Sequence, residues 1–137
     1  MNAESFDEVE ETFAFLDDWE DKYRYVIDLG KAMPPMDERL KSPLTKVEGC
    51  ASQVWIAPRL EGGQLHFDGD SDALIVRGLI AVLRLLLSGR TPKEIAAEDV
   101  EGALARLGLD QHLSAQRSNG LRAMVARLRD LAGAAAG

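Results

Sequence analysis

One stretch in the middle of the chain constrains the fold more than any other. Residues 73–87 are apolar except for Arg77 and Arg84, which are seven positions apart and therefore lie on one stripe of a helix. A helix that is apolar on nearly all its sides is buried by its neighbours, so this segment predicts a central helix with the rest of the chain packed around it. It is too short to span a bilayer, and Arg77 adds a charge inside it. We therefore expect no contact with a membrane.

Two helices are predicted ahead of this central segment. Apolar residues recur at helical spacing over residues 6–16, after a capping box that begins at Ser5. A second helix is expected to start at Asp17 or Asp18. We predict that it ends near Gly30, because glycine commonly terminates helices.

A small antiparallel sheet is predicted between the second helix and the central one. Residues 53–60 are rich in β-branched and aromatic side chains, and residues 64–68 alternate apolar with polar side chains. Residues 61–63 contain two glycines and are typical of a hairpin turn. Residues 44–48 can form a further short strand.

Polar residues mark the expected starts of the later helices. Asp70 or Ser71 is predicted to cap the central helix, and Thr91 begins a capping box for the helix that follows it. A short helix is expected to stop at Gly108. The last helix is predicted to run to residue 132 from a cap at Ser118 or Asn119.

The order of elements predicts an α+β fold, in which a small antiparallel sheet packs against helical N- and C-terminal parts. The 137 residues, 46% of them hydrophobic, suffice for one core, so we expect a single domain over residues 1–137 with a frayed tail at 133–137. The net charge of −7 disfavours a nucleic-acid partner. The first 21 residues hold nine acids and no Lys or Arg, unlike a signal peptide, so we expect a cytoplasmic protein.

The most informative residue is the single cysteine, Cys50, which lies between two candidate strands. Gly49 can adopt a positive φ and Ala51 adds little bulk, so the thiol could sit at the tip of a turn and reach another molecule. Packing as a small buried hydrophobe is the competing interpretation. His66 or His112 could serve Cys50 as a base, although no motif indicates it. The spacing of Cys50, His66 and His112 along the chain matches no zinc signature, so no metal site is predicted.

Several separated motifs together resemble the SufE family, the sulfur-acceptor proteins that activate cysteine desulfurases of the SufS type. The motifs are WEDKY at 19–23, DLG at 28–30, VxGCxSQVW at 47–55 (x is any residue), GDSDA at 69–73, GLIA at 78–81 and RSNGL at 117–121. The resemblance covers nearly the whole chain. It implies a compact α+β domain, related to iron–sulfur scaffold proteins of the IscU type, with its cysteine on a loop tip.

By this resemblance, Cys50 accepts sulfane sulfur from a pyridoxal-phosphate-dependent desulfurase and passes it to an iron–sulfur scaffold complex. The chain would hold no cofactor of its own and would not be the enzyme, and a homodimer is left open. Gly49 and Ala51 would give the loop its reach, Gln53 would anchor it, and Asp72 and Arg117 would orient the partner or the loop. The remaining residues of the binding motif are Ser118, Asn119 and Gly120.

The sequence departs from the usual family pattern at Thr45, at Ala51 and at residues 115–116. Glu48 is expected to raise the pKa of the neighbouring thiol, so positive potential must come from Arg117 with the last helix or from the partner. Two alternatives stay open: a one-cysteine thiol peroxidase or transferase, and a binding module whose cysteine only fills space.

Overall fold

The computed structural model describes residues 5–136 and has the predicted α+β architecture. The elements follow in this order: α1 (Phe6–Phe15), α2 (Trp19–Ala32), a 3-10 helix (Glu38–Leu40), β1 (Val54–Glu61), β2 (Gln64–Ser71), α3 (Leu74–Leu87), α4 (Pro92–Ala97), α5 (Val100–Arg106) and α6 (Ala115–Ala136). Among these helices, none combines the length and the apolar content that a membrane span requires.

Helix α3 is the centre of the molecule, as its composition predicts. Ten of its fourteen residues are buried, against α2 on one side and strand β2 on another. Its two arginines reach across to these neighbours: Arg77 Nε donates to the Gly30 carbonyl at 2.7 Å, and Arg84 Nε donates to the Phe67 carbonyl at 3.1 Å. The stripe of two charges therefore joins α3 to α2 and to the sheet.

Helix α2 ends at Ala32, close to the predicted position, but Gly30 itself lies inside the helix and does not terminate it. Gly30 instead lies where α2 crosses α3. A Cβ atom placed on it would come within 2.6 Å of the Gly78 backbone nitrogen, and a Cβ on Gly78 would come within 2.6 Å of Val26 Cγ1. The two glycines let the helix backbones approach more closely than any side chain would allow.

Strands β1 and β2 form an antiparallel hairpin whose register runs from Val54 opposite Ser71 to Glu61 opposite Gln64. Gly62 and Gly63 make the turn with φ of +57° and +80°, as the glycine pair predicts. The prediction of a short strand at residues 44–48 is wrong. This segment turns instead, and it touches the sheet through one bridge, between Lys46 and Trp55.

The prediction that Asp70 or Ser71 caps α3 is also wrong, since both residues belong to β2. The N-cap of α3 is Ala73, which makes no side-chain cap. The Asp70 carboxylate is buried and lies 2.8 Å from Lys41 Nζ and 2.7 Å from an Arg77 nitrogen. Burial opposes its ionisation, but the hydrogen bonds from Lys41 and the Ser71 amide and the charge of Arg77 hold its pKa below the usual range.

Other predicted caps are confirmed. The Ser5 side chain accepts a hydrogen bond from the backbone N–H of Glu8, and the Asp18 side chain accepts one from the backbone N–H of Asp21. Thr91 and Glu94 form the reciprocal capping box of α4. The starts of α1, α2 and α4 are therefore determined by local hydrogen bonds between residues three positions apart, which is why the sequence predicts them.

Helix α6 begins at Ala115 rather than at Ser118. Ser114 supplies the cap, because its Oγ accepts from the Arg117 amide and its carbonyl accepts from the Ser118 amide. Ser118 and Asn119 are therefore inside the helix. The helix also continues to Ala136, through the segment that we expected to fray.

Candidate functional site

Cys50 lies on a short loop whose two ends are fastened together. The Val47 amide donates to the Val54 carbonyl at 2.8 Å, so residues 48–53 form a closed loop at the start of β1. Gly49 turns the chain just before the cysteine with φ of +89°, a conformation that other residues rarely adopt. The structure thus places Cys50 near a loop tip, next to a glycine with a positive φ.

The cysteine faces a cavity of about 140 Å³ between its own loop, the start of α3 and the first turns of α6. The residues that line this sulfur cavity are Cys50, Ala51, Ser52, Ala73, Val76, Gln116, Arg117, Gly120 and Met124. Val76, Gly120 and Met124 are buried and form its floor, whereas Gln116 and Arg117 are exposed at its mouth. The sulfur cavity therefore has apolar side chains at its buried end and polar side chains at its opening.

The Cys50 thiol is half-buried and stays protonated at neutral pH. Its S–H donates to the Gly120 carbonyl, with the sulfur 3.6 Å from the oxygen. Burial is the main cause of a raised pKa for this thiol, and the negative charge of Glu48 raises that pKa further. Both effects disfavour the thiolate form of Cys50 in the isolated protein.

Asp72 and Gln53 hold the far end of the cysteine loop. The Asp72 carboxylate accepts a hydrogen bond from the backbone N–H of Gln53 at 3.0 Å. The backbone N–H of Asp72 in turn donates to the backbone carbonyl of Gln53 at 3.3 Å. This pair of hydrogen bonds ties the loop to the junction of β2 and α3. Neither residue lines the sulfur cavity, so the geometry gives both of them an anchoring position.

Of the candidate binding residues on α6, only Arg117 and Gly120 line the sulfur cavity. Ser118 lines a separate cavity of about 280 Å³ between α5 and α6. The Asn119 side chain accepts from Arg122 at 3.0 Å. The structure thus brings Cys50, Ala51, Arg117 and Gly120 together and leaves Ser118 and Asn119 outside.

Five of the residues that line the cavity were not predicted as site residues: Ser52, Ala73, Val76, Gln116 and Met124. The spacing of three and four from Arg117 to Gly120 and then to Met124 is helical, so it could have found Met124 once the helix start was known. Gln116 carries no comparable signal. Its place at the mouth depends on α6 starting at Ala115.

The two histidines lie away from the sulfur cavity. The His112 ring stacks on Trp19, and its Nδ1 is 2.9 Å from the Gly108 carbonyl oxygen. His66 lies on β2, with Nε2 3.8 Å from a Glu61 carboxylate oxygen. Neither ring lines the cavity beside Cys50. Across residues 5–136, no three His, Cys, Asp or Glu side chains gather in a metal-binding cluster.

Glu48→Gln is expected to raise the rate at which iodoacetamide alkylates Cys50 at neutral pH by roughly twofold, because the thiol loses a neighbouring negative charge and keeps its burial. The gain should shrink at high salt, which screens an exposed carboxylate. Glu61→Gln, at the opposite end of β1, is the matched control and should alkylate at the wild-type rate. Equal rates for the two variants would contradict the assigned role of Glu48.

A family model described as "SufE: Fe-S metabolism associated domain" matches residues 7–132. An uncharacterized SufE-like protein of Rhizobium etli is 51% identical over 130 residues, which cover 92% of this chain and 88% of that protein. A second uncharacterized SufE-like protein, from Rhizobium meliloti, is 47% identical over 129 residues, covering 91% and 92% of the two chains.

Among solved structures, the fold is similar to the solution structure of a hypothetical protein from Thermus thermophilus. The match has a TM-score of 0.77 and covers 98% of each chain. Because the sequences are only 21% identical, this likeness shows the fold alone.

Proposed function

The chain belongs to the SufE family and has a role in Fe–S metabolism, and from this premise we propose that it is a sulfur carrier rather than an enzyme. Cys50 accepts sulfane sulfur from a pyridoxal-phosphate-dependent cysteine desulfurase and stimulates that enzyme. The carrier then delivers the sulfur to an iron–sulfur scaffold complex. We place this activity in the cytoplasm, where single thiols stay reduced.

The observation that carries the proposal is the position of the sole cysteine. Cys50 is on a closed loop, half-buried, and lines a small cavity whose other lining residues include Gln116 and Arg117. A cysteine that only fills space would not need a positive-φ glycine before it or a cavity beside it. A second cysteine would discharge a persulfide as a disulfide, and the sequence has none.

The transfer step is a thiol–persulfide exchange that needs no outside oxidant. The Cys50 thiolate attacks the outer sulfur of the persulfide on the desulfurase, and a new S–S bond forms on Cys50. The S–S bond on the desulfurase breaks, and its electron pair leaves with the desulfurase thiolate, which takes up the proton that Cys50 released. Breaking the C–S bond of cysteine belongs to the desulfurase, because it needs the electron sink of pyridoxal phosphate.

Activation of Cys50 falls to positive charges at the mouth of the sulfur cavity, both those of this chain and those that a desulfurase brings on docking. The thiol's pKa is raised by burial and by Glu48, so the free protein holds little thiolate. The positive charges available to it are Arg117, at the mouth of the cavity, and those on the desulfurase. This arrangement suits a carrier, which should react on its partner and not in free solution. A stand-alone thiol peroxidase needs the opposite, a thiol whose pKa is lowered in the resting protein.

Intact mass spectrometry tests the proposal. The protein is incubated with a cysteine desulfurase and L-cysteine, and the expected result is a gain of about 32 Da that alkylation traps on Cys50. Samples without L-cysteine are the control and should show no gain. A gain of about 16 Da in the presence of peroxide would instead indicate oxygen addition and the peroxidase alternative. No gain with an active desulfurase would contradict the carrier function.

A further inference from the structure

Two polar side chains line the mouth of the sulfur cavity, and the transfer step alone does not account for both of them. Gln116 and Arg117 stand side by side in the first turn of α6 and line the mouth of the cavity. Between them they offer carboxamide and guanidinium N–H donors and a positive charge. Val76 and Met124, on the floor, offer no such donors.

The contact that the resting thiol makes is lost when Cys50 carries sulfur. The Cys50 S–H donates to the Gly120 carbonyl at 3.6 Å, and this bond needs the proton on Sγ. In a persulfide, Sγ is bonded to a second sulfur and has no proton. The S–H group of a persulfide is also more acidic than that of a thiol, so its terminal sulfur is ionised. A carbonyl oxygen, which carries partial negative charge, repels this anion. The loaded cysteine must therefore find different partners.

We propose that Gln116 and Arg117 form a subsite that holds the terminal, anionic sulfur of the Cys50 persulfide. This inference rests on the proposed carrier function and deepens it. An added sulfur is similar in size to a water molecule, which takes about 30 Å³ in the liquid, so the cavity of about 140 Å³ has room for it. The N-terminus of α6, on which both residues lie, adds partial positive charge in the same place.

The subsite has two measurable effects on the loaded protein. Hydrogen bonds from these two side chains to the anionic sulfur would lower the pKa of the persulfide. They would also restrict access to that sulfur from the mouth of the cavity, whose buried lining includes Val76 and Met124. The persulfide should therefore react more slowly with reductants than one without these two side chains.

The test loads Cys50 without any desulfurase, so that it does not depend on the transfer reaction. The Cys50 thiolate attacks inorganic tetrasulfide, an S–S bond of the tetrasulfide breaks, and trisulfide leaves with the electron pair. An uncharged phosphine, tris(hydroxypropyl)phosphine, then removes the outer sulfur as phosphine sulfide and regenerates the thiol. Intact mass follows the rate of this removal, and ultraviolet absorbance of the persulfide anion follows its pKa.

Gln116→Ala and Arg117→Gln are expected to lose the outer sulfur roughly 3- to 10-fold faster than wild type and to raise the pKa of the persulfide. Gln111→Ala and Arg122→Gln are matched controls, because they remove the same groups from exposed positions outside the sulfur cavity. Both controls should match wild type in rate and in pKa. Circular dichroism checks that all four variants fold.

Wild-type rates and pKa values for Gln116→Ala and Arg117→Gln would overturn the subsite, as would equal changes in the two controls. The outcome is separable from that of the carrier function. If tetrasulfide-loaded variants behave as expected but a desulfurase never loads Cys50, the carrier function fails and the subsite stands. If the desulfurase loads Cys50 and the variants match wild type, the subsite alone is wrong.

Discussion

Cys50→Ser is expected to abolish stimulation of a cysteine desulfurase while leaving the fold intact. The serine hydroxyl can donate to the Gly120 carbonyl in place of the thiol, so we expect the free energy of unfolding to change by less than about 1 kcal/mol. An alcohol is not ionised near neutral pH and cannot hold sulfane sulfur. The desulfurase should therefore turn over at its basal rate in the presence of the variant.

Two further measurements make this result specific. Denaturant unfolding shows whether the variant keeps its stability, and calorimetric titration shows whether it still binds the desulfurase. We expect both to match wild type, which would locate the loss in the chemistry of sulfur transfer. Full stimulation by Cys50→Ser would mean that the cysteine only packs, in line with the binding-module alternative.

Gly78→Ala is expected to destabilise the protein by about 3 kcal/mol, a lowering of the melting temperature by roughly 10 °C. The new Cβ would lie within 2.6 Å of Val26 Cγ1 and would also meet the Val26 backbone. Backbone cannot move aside as a side-chain tip can, so α2 has to shift away from α3. That shift loosens the contact that buries much of the central helix. Thermal unfolding followed by circular dichroism measures the effect.

Gly133→Ala is the matched control for the helix-crossing glycine. Gly133 is also a glycine inside a helix, but a Cβ placed on it meets nothing within 4 Å. Alanine should therefore stabilise the protein slightly, by about 0.5–1 kcal/mol, through helix propensity alone. If both variants changed stability in the same direction and by the same amount, the close approach of α2 and α3 would not explain the glycine at position 78.

Features with a local cause were predictable from the sequence. The capping box of α4 involves only Thr91 and Glu94, three residues apart. The hairpin turn at residues 62–63 is favoured by two glycines, which adopt the positive φ angles that it requires. The burial of α3 follows from its composition, whatever its neighbours are. The family's motifs also single out Cys50 from the sequence alone.

Features that depend on distant contacts were not predictable in this way. A glycine near a helix end is usually a stop signal, and only the crossing with α3 shows why Gly30 stays helical. Asp70 looks like a helix cap, but the register of β2 extends through Ser71 to meet Val54 and keeps it in the strand. The pairing partner, and not the local sequence, decides where this strand ends.

The least predictable part of the site was the start of α6. Ser114 and Ser118 are one helical turn apart, and either could cap a helix. The choice of Ser114 brings Gln116 and Arg117 into the helix and aligns Arg117 with Gly120 and Met124 along the sulfur cavity. One turn of difference in the cap thus decides which side chains surround the cysteine.

A single-turnover transfer tests most directly whether Cys50 receives sulfur from a partner. A cysteine desulfurase is loaded with its persulfide, freed of L-cysteine and mixed with one equivalent of this protein. Both chains are then alkylated and digested, and peptide mass spectrometry locates the sulfur. We predict that it leaves the desulfurase and is recovered on the peptide that contains Cys50, with no gain elsewhere. Sulfur that stays on the desulfurase, while Cys50 remains an unmodified thiol, would contradict the carrier function.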